Sequence, residues 1–99
     1  MLAIKYSHHF LRKISKLEDS LVDEIQEKIE LLKNKTNHQK LKVHHLHGVL
    51  KGSLSFYVNY KIRVVFEYTS KTEVVLEDVG DHDVYRSALF ENPVGSPRG

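Results

Sequence analysis

The sequence predicts an α+β fold: an N-terminal strand and a helical hairpin packed on one face of a small antiparallel sheet, then a short C-terminal helix. Three observations carry this expectation. Apolar residues recur at helical spacing between Phe10 and Leu32, the period falls to two after Gly52, and short polar turns separate the alternating runs. Runs of helix followed by runs of strand segregate into layers.

Residues 2–6 alternate weakly and read as a first strand. Ser7 is placed to cap a helix in which Phe10, Leu11, Ile14 and Leu17 share one side. Asp19 or Ser20 is expected to cap a second helix. There Val22, Ile25, Ile29 and Leu32 follow at helical spacing, and Asp23, Glu24, Glu27 and Glu30 fill the other faces. Asn34 and Asn37 suit its end. With so short a connection, the two helices are expected to form an antiparallel hairpin. Residues 35–52 form a basic, His-rich connection with room for a short strand or turn. Beyond it, Leu54, Phe56 and Val58 alternate with polar neighbours, Asn59-Tyr60-Lys61 turns the chain, and Ile62, Val64, Phe66 and Tyr68 alternate again. Residues 69–72 turn into a third run over residues 73–79, which completes a β-meander. Gly80 ends it, and Asp81 can cap a short helix. Residues 1–90 are thus expected as a single domain, with the Pro/Gly-rich residues 91–99 as a disordered tail.

Composition narrows the function classes. At 99 residues there is little room for a second core. No apolar run approaches the about 20 residues a membrane helix needs, and the first residues do not read as a signal peptide. A cytoplasmic location without membrane association is the expectation. The absence of cysteine excludes disulfides, thiolate metal sites and thiol nucleophiles. Net charge is only +2, but it is unevenly spread. Residues 35–63 carry six cations (Lys35, Lys40, Lys42, Lys51, Lys61 and Arg63) and no carboxylate, whereas residues 73–83 carry five carboxylates and no Lys or Arg. A basic middle fits a phosphate backbone or an acidic protein, and equally an ordinary solvated loop.

Strand parity brings the chemistry together. If Leu54, Phe56, Val58, Ile62, Val64 and Phe66 face the helices, Tyr57 and Arg63 must lie on the opposite face, which an antiparallel sheet can leave open. His82 and Tyr85 follow just beyond the last strand. Cleavage of RNA by its own 2′-OH requires a base, an acid and positive charge on the crowded phosphate. Histidine suits the proton transfers, the arginine fork suits the phosphate, and tyrosine can transfer a proton or stack on a base. Each residue also has a plainer reading: Arg63 as a surface partner of Glu67, and His82 as a capping or surface histidine. The segment His44-His45-Leu46-His47 invites a metal, but its basic neighbours and the lack of a completing ligand argue against one. His8 and His9 read as surface polar.

The order of these pieces resembles the RelE/ParE toxin superfamily over residues 2–90. The stretch from Leu46 to Gly52 is similar to the family's Leu-x-Gly element. Tyr60-Lys61-Ile62-Arg63-Val64-Val65-Phe66 resembles its Tyr-x-x-Arg strand. Val79-Gly80-Asp81-His82-Asp83-Val84-Tyr85 looks like the ending of RelE/StbE and YafQ-like members. The resemblance implies the RelE-like fold and the toxin of a type II toxin–antitoxin pair, an endoribonuclease cutting mRNA in the ribosomal A site without metal or cofactor. It implies Arg63 as the transition-state arginine, His82 as principal acid/base, Tyr85 as the C-terminal tyrosine and His44 as second acid/base, with His45 the fallback one residue on. Lys40, Lys42, His45, His47, Lys51, Tyr57, Lys61 and Arg86 are the expected RNA contacts. Tyr57 falls where YafQ-like members carry a histidine. The lysine pair of RelE is replaced by Leu54, Ser55 and Phe56, and Lys40 lies near the position of the YoeB-like glutamate. The implied partner is an antitoxin encoded by an adjacent gene. A ParE-like inhibitor of DNA gyrase and a degenerate homologue that only binds antitoxin share the same fold, and both stay open at this point.

Overall fold

A computed structural model describes residues 1–47 and 52–81. Its elements are β1 (Ala3–Tyr6), α1 (His8–Ile14), α2 (Asp19–Leu32), a 3₁₀ turn (Lys35–Asn37), β2 (His44–His45), β3 (Leu54–Tyr57), β4 (Arg63–Ser70) and β5 (Glu73–Gly80). The strands form one five-stranded sheet in the order β1-β5-β4-β3-β2. The expected C-terminal helix and tail lie outside the described residues.

Local chemistry accounts for most boundaries. Ser7 caps α1 by accepting from the Phe10 amide at 3.0 Å. The second helix departs from expectation: Glu18 occupies its cap position without a side-chain bond, and Asp19 sits in the first turn, where a carboxylate favours the helix dipole. Asn34 caps the 3₁₀ turn through Thr36, and the Asn37 amide donates to the Leu31 carbonyl, so both asparagines do mark the end of α2.

The core joins the helices to one side of the sheet. Phe10, Ile25 and Leu32 are fully buried with Phe56, Val64, Phe66, Val74 and Leu76. Phe56 and Phe66 meet edge-on with ring centroids 5.8 Å apart. Complete burial of such a side chain is worth about 1.5–3 kcal/mol. Ile62 and Val58 join the same cluster, as the alternation requires.

Two features correct the expected sheet. It is mixed, because β1 pairs parallel with β5, from Ala3 opposite Glu73 to Tyr6 opposite Leu76. Four alternating residues carry no information about strand direction. Only the meander β2–β5 is antiparallel. In addition, the second face is not open throughout, since Ser55, Val65 and Asp78 on it are buried. A register shift at Val65/Phe66 leaves Glu77 without a partner on β4, and Asp78 is covered by His9 and Lys13 of α1 at 3.0 and 2.8 Å.

Candidate functional site

The site is built around the register pair Tyr57–Arg63, where β3 ends and β4 begins. Between them, Asn59 fixes the turn. Its side-chain oxygen accepts from the amides of Lys61 and Ile62, both at 2.8 Å, and its amide donates to Glu24 of α2 at 3.0 Å. The turn carbonyls then point back at Arg63. Arg63 Nη1 donates to the carbonyls of Asn59 and Tyr60 at 3.2 and 3.0 Å. Its guanidinium lies over the Tyr57 ring, 3.7 Å from the centroid. These contacts engage Nη1 and one face of the guanidinium, and none of them involves the Nε–Nη2 edge. The plainer reading of Arg63 does not hold: no Arg63–Glu67 ion pair is present among the described residues, and Glu67 accepts from Ser53 instead.

Tyr57 gathers two further residues of the basic segment. Its amide donates to the Leu41 carbonyl at 2.9 Å, drawing that segment against the end of β3. Lys42, with a left-handed backbone (φ 58°), places Nζ 5.5 Å from the ring centroid. His44, opposite Ser55 on β2, meets the same ring edge-on at 6.2 Å. His44 Nδ1 lies 2.8 Å from the Lys42 carbonyl. A carbonyl can only accept, so Nδ1 carries the proton and Nε2 of the neutral ring keeps its lone pair. An arginine, a lysine, a phenol and an oriented imidazole thus converge on one sheet corner.

Beside this cluster lies a groove of about 420 Å³ between the end of α2, residues 40–42 and the β3–β4 turn. Lys40, Lys42 and Tyr57 line it, and so do Lys28 and Tyr60, which the sequence reading did not select. Tyr60 entered that reading only as a turn residue and as the tyrosine of the Tyr-x-x-Arg element, and Lys28 did not enter it.

Other expected residues stand apart. His45 is exposed opposite Leu54, and strand parity turns it away from Tyr57. His47 and Lys61 are exposed. His82, Tyr85, Lys51 and Arg86 lie outside the described residues. Among the described residues no three His, Asp or Glu side chains converge as metal ligands, and no helix is long and apolar enough to cross a membrane.

A second polar cluster occupies the β5 side of the sheet. His9 and Lys13 pair with Asp78, and Glu77 lies close to Glu67. Burial, reinforced by the charges of Glu67 and Asp78, raises the Glu77 pKa above its ordinary value.

No protein-family profile and no curated protein sequence matches this chain. Solved structures do. YafQ from E. coli superposes with a TM-score of 0.67 at 19% identity, covering 91% of this chain and 99% of that one. The YoeB–YefM complex from Staphylococcus aureus gives 0.65 at 17% identity, covering 83% and 98%. The archaeal RelE–RelB complex from Pyrococcus horikoshii gives 0.64 at 14% identity, covering 81% and 93%. At these identities the likeness is one of fold.

Proposed function

From the shared fold of the RelE, YafQ and YoeB toxins as premise, we propose that this chain is the toxin of a toxin–antitoxin pair and a metal-independent endoribonuclease acting on mRNA in the ribosomal A site. The observation that carries the reading is the Tyr57 cluster, in which Arg63 is preorganised through Nη1 and one face and His44 has a defined tautomer. Neither arrangement helps to fill the core. Both suit a phosphodiester beside a ribose hydroxyl.

The chemistry follows from the atoms. The bare Nε2 of His44 takes the proton of the 2′-OH, whose oxygen attacks the adjacent phosphorus. The P–O5′ bond breaks, and the departing oxygen takes a proton from His82, the acid the sequence motif supplies. The products are a 2′,3′-cyclic phosphate and a 5′-hydroxyl. Arg63 donates its Nε–Nη2 edge to the phosphoryl oxygens, where charge builds in the transition state. Lys42 adds to the local positive potential, and the sequence motif adds Tyr85 to the proposed catalytic set. The partner is an antitoxin protein that covers this corner. Two of the structural neighbours named above are complexes of such pairs.

Primer extension on messages from cells expressing the chain tests the reading, with Arg63→Ala and His82→Ala as controls. New 5′ ends inside coding regions are expected for the wild type. Losing a general acid–base group is expected to reduce them about 10²–10⁴-fold. Growth arrest with intact messages and damaged DNA would instead assign a gyrase-directed toxin, and no arrest at all a non-catalytic homologue.

A further inference from the structure

The groove beside the Tyr57 cluster has two chemically distinct parts. Leu31, Leu41 and Val58 supply apolar walls, and Lys28, Lys40 and Lys42 supply cations. Tyr60 stands at its edge with 89% of its surface exposed. The backbone of Tyr60 is used, since its carbonyl holds Arg63, but burial explains nothing about its ring. The backbone that carries the ring is nevertheless anchored, because Asn59 pins the turn to α2 through Glu24. An exposed aromatic on a rigid turn, beside carbon walls and a lysine rim, offers a flat face for a π-system and charge for an anion attached to it.

We propose that this groove is a nucleotide subsite for single-stranded RNA: it stacks one base, adjacent to the phosphate held by Arg63, against Tyr60 and the carbon walls, with a flanking phosphate on Lys28 and Lys40. The inference rests on the endoribonuclease reading and deepens it by naming what holds the strand beside the cut. Charge favours this occupant. Among the described residues, the only carboxylate paired with Lys28 is Glu27, at 3.9 Å, and none pairs with Lys40 or Lys42. The groove is also continuous with the site, since Lys42 and Tyr57 belong to both. A splayed single strand presents accessible base faces to such a surface. A duplex hides those faces in its stack.

The test uses fluorescence anisotropy with a nine-nucleotide, fully 2′-methoxylated RNA, which binds without being cut, and a set of the same probe with one base removed at each position in turn. Base stacking on an aromatic side chain is expected to contribute about 5- to 150-fold per base. One abasic position should therefore weaken wild-type binding by that factor and have no further effect in Tyr60→Ala. Lys28→Ala should lower the slope of log affinity against log salt by about 0.7, the value for one phosphate of a single strand. Equal binding of all abasic probes, or an abasic penalty that persists in Tyr60→Ala, overturns the subsite. So does a Tyr60→Ala variant that binds RNA normally but no longer copurifies with the product of the adjacent gene, which would assign the groove to the protein partner. The subsite and the reading it rests on fail separately. Unchanged message cleavage by Tyr60→Ala with flat abasic data removes the subsite alone, and RNA binding without cleavage by the wild type removes the nuclease alone.

Discussion

At the scale of single residues, the environment of Arg63 separates charge from geometry. A lysine at that position keeps the charge but cannot lie flat over Tyr57 or bond both turn carbonyls while offering a second edge. Arg63→Lys is expected to cut messages about 10²–10³-fold more slowly, the scale for losing a preorganised donor at a developing charge. Near-normal cleavage in the same primer-extension assay would show that charge alone suffices. Glu77 gives a prediction of a different kind. Its pKa is raised above the ordinary 4.5, chiefly by burial and then by Glu67. The folded chain therefore binds the Glu77 proton more tightly than the unfolded chain does. This contribution to stability is fully present below 4.5 and is lost as pH rises through the raised value. Glu77→Gln removes the loss, so its Tm is expected to exceed that of the wild type at pH 7. The gap should narrow as pH falls toward 4.5. A pH-independent Tm difference in thermal melts would mean that the substitution acts through packing.

At the scale of elements, the β3–β4 turn links fold to site. Asn59 makes three side-chain hydrogen bonds there, and its own carbonyl is one of the two that hold Arg63. Asn59→Ala is expected to lower the unfolding free energy by about 1–3 kcal/mol in urea titrations. It should also reduce cleavage more than an equally destabilising substitution in the core, such as Ile25→Val. Equal effects would make the turn merely structural. The turn also shows what a sequence can disclose. Helical spacing on α2 identified Ile25, Ile29 and Leu32, and alternation on β3 and β4 put Tyr57 and Arg63 on one face, because each rests on a fixed period. The pairing of His44 with Ser55 has no such signal, since a two-residue strand has no period. Nor was the approach of Lys42 to Tyr57 legible, because it depends on a left-handed backbone in a residue other than glycine. The parallel docking of β1 was invisible for a third reason: its partner is remote in sequence. The burial of Asp78 escaped parity because the irregular register at Val65/Phe66 and the cover from α1 are tertiary effects.

At the scale of the whole molecule, charge is polarised. Lys28, Lys40 and Lys42 flank the Tyr57 corner, while Asp23, Glu24, Glu27 and Glu30 line a separate groove of about 820 Å³ beside Tyr6. An antitoxin that silences the site by covering the basic corner would need an acidic or amphipathic segment, disordered when free and folded on binding. Its association rate, measured by stopped-flow mixing across a salt series, is expected to fall as salt rises. A salt-independent rate would remove the electrostatic part of the partner reading. The sheet order has a consequence of another sort, for the timing of synthesis. β5 lies between β1 and β4, and the contacts that tie its end to the start of α1 join residues 70 apart. The first strand to be made therefore has no neighbouring strand until the last one has been made. While β5 is still within the ribosome, β2, β3 and β4 can pair among themselves, but β1 must wait. A domain proposed to act on ribosomes thus takes its final form only after β5 has left the ribosome that built it.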